Sequence, residues 1–193
     1  MVSQFISSHP VRLLRDLDFD FPPGTHAIGR LDNHSEGLLI LTTNKKVTKL
    51  LFESATPHPR TYLVQVSHAI TTDDLKKLES GISIRIKTGD DYTTQPCTVN
   101  LVNDPGELCR LEDRVTAYPP FNWIQLTLQE GKYRQVRKMI TALGKKCKRL
   151  VRIRIENLEL GFLQPGEVLE LNEHEFFKQL KIDHTANGQY IGT

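Results

Sequence analysis

Apolar residues fall along this chain in short blocks, set apart by clusters of Gly, Pro, Asn, Asp and Ser. Residues 26–31 read as a short strand and 32–37 as a loop. The apolar run at 38–43 reads as a buried strand, with a short helix over 45–53. Residues 61–67 and 82–87 alternate apolar with polar, which predicts two strands. Between them, Thr71-x-x-Asp74 resembles a capping box, and Leu75 and Leu78 form the apolar side of a helix that Gly81 ends. Residues 97–102 and 123–128 are strands, and the stretch between them is irregular, with Pro105-Gly106 and Pro119-Pro120. A helix over 133–143 is stopped by Gly144, and strands follow at 149–155 and 157–160. Pro165-Gly166 turns the chain into 168–171, so those last two strands can pair as a hairpin. Residues 174–180 form a terminal helix with Phe176, Phe177 and Leu180 near one side. The first 25 residues hold His9-Pro10, Pro22-Pro23-Gly24 and a short helix near 11–17. Strands and helices do not alternate regularly, which favours an α+β fold with a mixed, mostly antiparallel sheet and flanking helices.

Composition narrows this picture. The 193 residues, 38% hydrophobic and 25% charged, suit one globular domain over 1–183 with a polar, disordered tail over 184–193. The longest uninterrupted apolar run is Leu38-Leu39-Ile40-Leu41, far short of the ~20 residues that span a bilayer. The N-terminus shows no basic stretch followed by an apolar one, so the expected location is the cytoplasm. Cys97, Cys109 and Cys147 make no Cys-x-x-Cys pair, and the histidines are scattered, so neither a disulfide framework nor a metal site is expected.

Charge is more informative in its distribution than in its total of +2. Between 130 and 155 stand ten basic residues against the single acid Glu130, a local excess of nine. A face so positive suits a polyanion, with RNA or DNA leading and an acidic protein as the competitor. A helical wheel started at Tyr133 groups Tyr133, Val136, Ile140 and Leu143 as a core-facing stripe. It sets Arg134, Lys138 and Lys145 on the far side, where they can track phosphates. Arg137 falls at the margin of the stripe, half turned inward, where a guanidinium either finds an acid or reaches along the rim to water. Asp32, at the end of Gly29-Arg30-Leu31-Asp32, is placed either as an ordinary turn residue or as a reactive carboxylate beside a loop. Paired with Glu36 it also offers the two acids that glycoside hydrolysis needs.

Four ordered segments resemble a known family. Gly29-Arg30-Leu31-Asp32-x-x-Ser35-Glu36-Gly37-Leu38-Leu39-x-Leu41-Thr42-x-Asn44 is similar to the signature of the ribosomal pseudouridine synthases of the RsuA type. Arg60-Thr61-Tyr62-x-Val64-x-Val66 resembles that family's second motif. Glu130-Gly131-Lys132-Tyr133-Arg134-Gln135-Val136-Arg137-Lys138-Met139 resembles its third. Leu150-x-Arg152, then Leu160, Leu163 and Gly166-Glu167, resemble its closing strands. The proportions resemble the E-type branch of the large-subunit synthases, which lacks an S4 domain. The family's opening strand with a Lys-Pro pair is missing upstream of Val2, Arg60 stands where Lys is common, and Glu156 where Gly is frequent.

The resemblance implies the pseudouridine synthase catalytic fold with a central RNA-binding cleft, acting as an isomerase and a monomer. The enzyme would break the N1–C1′ bond of a uridine in RNA, turn the base and rejoin it through C5. Asp32 would be the catalytic carboxylate, Tyr62 would stack on the flipped base and move the C5 proton, and Arg137 would form an ion pair with Asp32. Leu150 would pack on the base, Arg30 would fill the gap left in the RNA stack, and Lys132, Arg134 and Lys138 would contact the RNA. No cofactor and no metal are implied, and no membrane. Ribosomal RNA is the expected partner, with the large subunit ahead of the small. The alternative is an RNA-binding protein that kept the fold without the activity.

Overall fold

The computed structural model describes residues 1–52, 57–111, 121–184 and 190–192. Its centre is a pair of eight-residue strands, β4 (Arg60–Ser67) and β8 (Phe121–Leu128), antiparallel in register from Arg60 opposite Leu128 to Ser67 opposite Phe121. β7 (Thr98–Val102) extends the sheet beyond β8, and β9 (Cys147–Ile155) lies antiparallel on the other side of β4. The outer edge of β9 pairs with two short strands, antiparallel β10 (Leu158–Glu159) and parallel β2 (Glu36–Gly37). Three two-stranded ribbons complete the set. They are β1 (His26–Ile28) with β3 (Ile40–Thr42), β5 (Ser83–Arg85) with β6 (Asp91–Thr93), and β11 (Ile182–His184) with β12 (Tyr190–Gly192).

Alternation along the strands divides the core as the pleat requires. One face presents Val64, Val66, Ile124, Leu126 and Leu150 to Leu78 of α2 (Thr72–Ser80) and to Val136, Met139 and Ile140 of α3 (Gln135–Ala142). The opposite face gathers Leu63, Trp123, Val151 and Ile153 over Cys109. A separate cluster joins the β1–β3 ribbon to α1 (Val47–Phe52) and α4 (Glu173–Gln179) through Ile28, Ile40, Leu51, Phe177 and Leu180. β9 is bulged against β4: Tyr62 faces Arg152 and Thr61 faces Arg154, leaving Ile153 as the extra residue. This is the α+β, mostly antiparallel arrangement that the sequence predicts.

The capping box at α2 forms as expected, with the Thr71 hydroxyl accepting from the Asp74 backbone N–H and the Asp74 carboxylate accepting from the Thr71 N–H. Gly81 ends the helix at φ +95°, with Thr94 backbone where a Cβ would sit. Other expectations need correction. Residues 11–17 hold only a 3-10 turn at Leu14–Asp16. No strand forms at 168–171: β10 is two residues long, Gly161 turns the chain at φ +56°, and Leu169 and Leu171 stay exposed. β6, unread in the sequence, lies within a polar run and pairs with β5 across the Thr88–Asp91 turn. Near the C-terminus β11 pairs with β12, and the side chain of Ile182 is buried in the third cluster. Residues 112–120, part of the stretch expected to be irregular, lie outside the described residues. Among the described residues no helix is long and apolar enough to cross a membrane.

Candidate active site

A cleft of about 280 Å³ opens on the α3 side of the sheet. Its walls come from the loop after β1, the start of β4 with the centre of β9, and the Glu130–Val136 turn into α3, completed by Phe52 and Leu128. Asp32, Tyr62 and Leu150, far apart in sequence, line it together. Tyr62 and Leu150 share the helix-covered face of the sheet, and Tyr62 stands directly opposite Arg152. Asp32 is carried by the loop between β1 and β2, closed by a hydrogen bond from the Ser35 N–H to the Asp32 carbonyl. Its half-buried carboxylate makes no hydrogen bond or ion pair among the described residues. It is therefore free to meet a ligand.

The loop is anchored by Gly37. With φ at +101°, Gly37 runs so close to β9 that a Cβ would lie 2.3 Å from the Arg152 carbonyl oxygen. The Leu38 N–H donates to that same carbonyl at 2.8 Å, and the Arg152 Nε donates to the Leu38 carbonyl at 2.8 Å.

Arg137 does not pair with Asp32. Its guanidinium donates instead to the His34 carbonyl and, at 3.3 Å, to the Ser35 hydroxyl, with a longer contact to the Cys147 carbonyl at 3.4 Å. It thus braces the loop that carries Asp32, two and three residues further on, and it does not line the cleft. The helical wheel erred at its origin. Arg134 takes a left-handed φ of +54°, so α3 starts at Gln135 and Tyr133 is outside the helix, 60% exposed at the cleft mouth. Met139 takes its place in the core stripe.

The basic segment divides between structure and surface. Lys145 is spent on Asp74 at 3.3 Å and on the Ala69 carbonyl, so it does not track phosphates. Arg149 holds Glu36 through two hydrogen bonds of 2.7 and 3.0 Å, and Arg154 reaches Glu159 at 3.7 Å. Glu36 is thereby occupied by Arg149 and lies outside the cleft, on the wider groove that Asp32 also borders, so the pair of free acids that glycoside hydrolysis needs is not presented. Lys132, Arg134, Lys138, Lys146 and Lys148 have no carboxylate partner among the described residues. Lys132 and Arg134 line the cleft with the exposed Arg30. Lys132 stands 4.7 Å over the Tyr92 ring, and Lys138, outside the cleft, 5.5 Å from the Tyr133 ring. A wider groove of about 1550 Å³ continues from the cleft, sharing Arg30, Asp32, Ser35 and Tyr133 and adding Lys148.

Three residues of this site were given no role from the sequence. Glu130 accepts from the Tyr92 hydroxyl at 2.5 Å, the Gln95 N–H at 2.9 Å and the Gln135 side-chain amide at 2.6 Å, tying the turn before α3 to the β6–β7 segment. That carboxylate raises the Tyr92 phenol above its ordinary pKa. Arg60 and Arg152 both line the cleft, each with a buried guanidinium nitrogen that has no partner. A cation at a cleft-facing position of an otherwise apolar strand face was the available signal. Burial raises all three thiol pKa values, that of Cys97 to about 11, so none supplies a ready thiolate. Among the described residues no three His, Cys, Asp or Glu side chains gather where they could hold a metal ion.

This architecture has known relatives. The sequence model of RNA pseudouridylate synthase matches residues 9–142. A ribosomal large subunit pseudouridine synthase E from Xanthomonas axonopodis pv. citri is 36% identical over 169 residues, covering 86% of this chain and 85% of the relative. A protein of the same name from Vibrio parahaemolyticus is 37% identical over 147 residues, covering 76% of this chain and 60% of that one. A crystal structure of a pseudouridylate synthase superposes with a TM-score of 0.67 at 27% identity, over 83% of this chain and 63% of the other. With its sheet, its cleft and four matching segments accounted for, the chain belongs to the RNA pseudouridine synthases, isomerases that act on RNA.

Proposed function

We propose that this chain converts a specific uridine of structured ribosomal RNA into pseudouridine, with large-subunit RNA ahead of small-subunit RNA. The large-subunit preference is supported by the names of its relatives from Xanthomonas and Vibrio. One observation carries the chemical reading: the unpartnered Asp32 carboxylate shares a cleft with Tyr62 and Leu150, under a rim of Arg30, Lys132 and Arg134. At about 280 Å³ the cleft is just below the ~300–1,000 Å³ typical of small-ligand sites, a size suited to one nucleotide. A uridine in structured RNA reaches it only by leaving the stack, at a cost of about a few kcal/mol. Phosphate contacts at Lys132, Arg134, Lys138, Lys146 and Lys148, which have no carboxylate partner among the described residues, offset that cost.

In the cleft the base lies against Tyr62 and Leu150, with Asp32 facing the sugar side. The N1–C1′ bond breaks, the base turns, and C5 bonds to C1′. N1 gains a proton and C5 loses one, so the product has the mass of the substrate. Asp32 serves as the carboxylate that starts the bond exchange, and Tyr62 moves the C5 proton. Arg137 acts as a positioning residue, holding the loop at His34 and Ser35. Residues 1–183 act as one catalytic domain and as a monomer. The three cysteines, all free, suit a reducing cytoplasm.

The test uses RNA carrying tritium at uridine C5, with ribosomal and transfer RNA fragments assayed apart. Forming pseudouridine sends that tritium to water. Release is expected with wild-type protein on a large-subunit fragment and none with Asp32→Asn at equal RNA binding. No release from any fragment despite tight binding would move the chain to the RNA-binding reading.

A further inference from the structure

Arg152 is 5% exposed and sits on the floor of the cleft, on β9 directly across from Tyr62. Its Nε donates to the Leu38 carbonyl at 2.8 Å, while one terminal nitrogen is buried with no partner. No carboxylate answers it among the described residues, and the nearby Arg60 adds like charge. Burial pulls this guanidinium below its ordinary pKa, and the Tyr62 phenol offsets that in part. An unpaired buried cation is expensive. A protein keeps one in a cleft when a ligand completes it.

Depth decides which part of an RNA can do so. Phosphates stay with the polymer at the cleft mouth, where Arg30 and Lys132 are exposed. Only the base of an extruded nucleotide reaches the floor. Uracil offers two carbonyl oxygens there as acceptors, O2 and O4. When N1–C1′ breaks, its electron pair stays on the base and spreads over N1, O2 and O4. The charge therefore develops partly on the two carbonyl oxygens, the acceptors that a base seated in the cleft can offer to Arg152. Bonding of C5 to C1′ consumes that pair, and loss of the C5 proton is matched by a proton gained at N1, which leaves the base neutral.

We propose that Arg152 is a catalytic residue that donates a hydrogen bond to a uracil carbonyl and stabilises the negative charge of the detached base. The assignment rests on the isomerase reading above and deepens it. Donors fixed in advance where charge develops are worth about 10²–10³ in rate each. Leu38 provides the fixing, because its carbonyl holds Nε and leaves the unpartnered terminal nitrogen for the base.

The experiment compares wild type, Arg152→Met, Arg152→Ala and Arg152→Lys in single turnover on C5-tritiated RNA, with RNA affinity and melting temperature measured on each. Arg152→Met is expected to bind RNA within about threefold of wild type and to react roughly 10²–10³-fold slower. Guanidinium ion in the assay is expected to speed Arg152→Ala and leave Asp32→Asn inert. A merely structural arginine would give neither result. Arg152→Lys keeps the stem and charge, and so the fold if the other two variants lose it. It lacks the fork and is expected to react about 10-fold or more slowly. Wild-type rates in Arg152→Lys and Arg152→Met, or a loss confined to RNA affinity, would overturn the assignment while leaving the isomerase reading intact. No tritium release by wild type itself would overturn both.

Discussion

Gly37→Ala should damage both the fold and the active site, and three contributions set its magnitude. Gly37 has φ at +101°, and an L residue in left-handed backbone costs about 1–2 kcal/mol. Its new Cβ would lie 2.3 Å from the Arg152 carbonyl oxygen and 2.7 Å from the Arg152 nitrogen, both backbone atoms in the sheet, so β2 must move away from β9. That movement breaks the Leu38 N–H bond to Arg152, worth about 1 kcal/mol, and the charged Arg152 bond to Leu38, worth about 1.5–3 kcal/mol. The total is about 4–6 kcal/mol, less about 0.4–1 kcal/mol recovered because alanine restricts the unfolded chain. Gly89→Ala is the matched control, since its φ is +92° and nothing lies within 4 Å of its new Cβ. It should lose no more than about 1–2 kcal/mol. Urea unfolding of both variants, with tritium release measured where each is folded, separates close approach from backbone strain. Equal destabilisation of the two would mean that contact with β9 does not fix the Asp32 loop.

Glu36→Gln should keep full isomerase activity and cost under about 1 kcal/mol by thermal melting, because its ion pair with Arg149 is half exposed at the Glu36 end. A glycosidase using both acids would be abolished by it. With about five phosphates neutralised by side-chain cations and their counterions released, RNA affinity measured by filter binding should fall roughly 100–500-fold between 50 and 200 mM salt. A slope near zero would contradict the basic-rim model of binding. The Thr71 N–H bond holds the Asp74 carboxyl below its ordinary pKa, with Lys145 adding to it. A carboxyl depressed in the folded state contributes stability that is complete above its unfolded pKa and disappears as pH falls through the folded value. Acid unfolding of wild type should therefore lose this contribution below about pH 4, whereas Asp74→Asn should start less stable and lack that part of the acid loss. Parallel pH curves for the two proteins would count against it.

The sheet was legible because its strands carry their own evidence. Alternation at Thr61–Ser67 and at Ile124–Leu128 has a period of two, and the core divides along it. The α2 cap was legible for the same reason, its signal lying within four residues. What failed depended on long-range pairing or on one backbone angle. A strand at 168–171 needed a partner that the short β10 does not supply. β6 has little apolar content and exists because β5 lies across the turn from it. The left-handed Arg134 shifted the start of α3 and sent Tyr133 to the surface, where a helical wheel had buried it. At the site, Asp32, Tyr62 and Leu150 were read from motifs, and the fold brings them into one cleft. The pairing of Arg137 was not legible, because its partners are a backbone carbonyl and a hydroxyl, groups that leave no charge signature in sequence. Arg152 was visible as a motif letter, but its burial opposite Tyr62 follows from the β4–β9 register.

On the proposed reading, the Asp32 carboxylate, unpaired among the described residues, rearranges a uridine without adding or removing an atom. The direct measurement digests large-subunit ribosomal RNA after incubation with wild-type protein or Asp32→Asn, separates the nucleosides and weighs the intact fragments. One uridine replaced by one pseudouridine, at unchanged fragment mass and with wild type alone, is the predicted result. Released uracil with an abasic site, or conversion by Asp32→Asn at the wild-type rate, would contradict it.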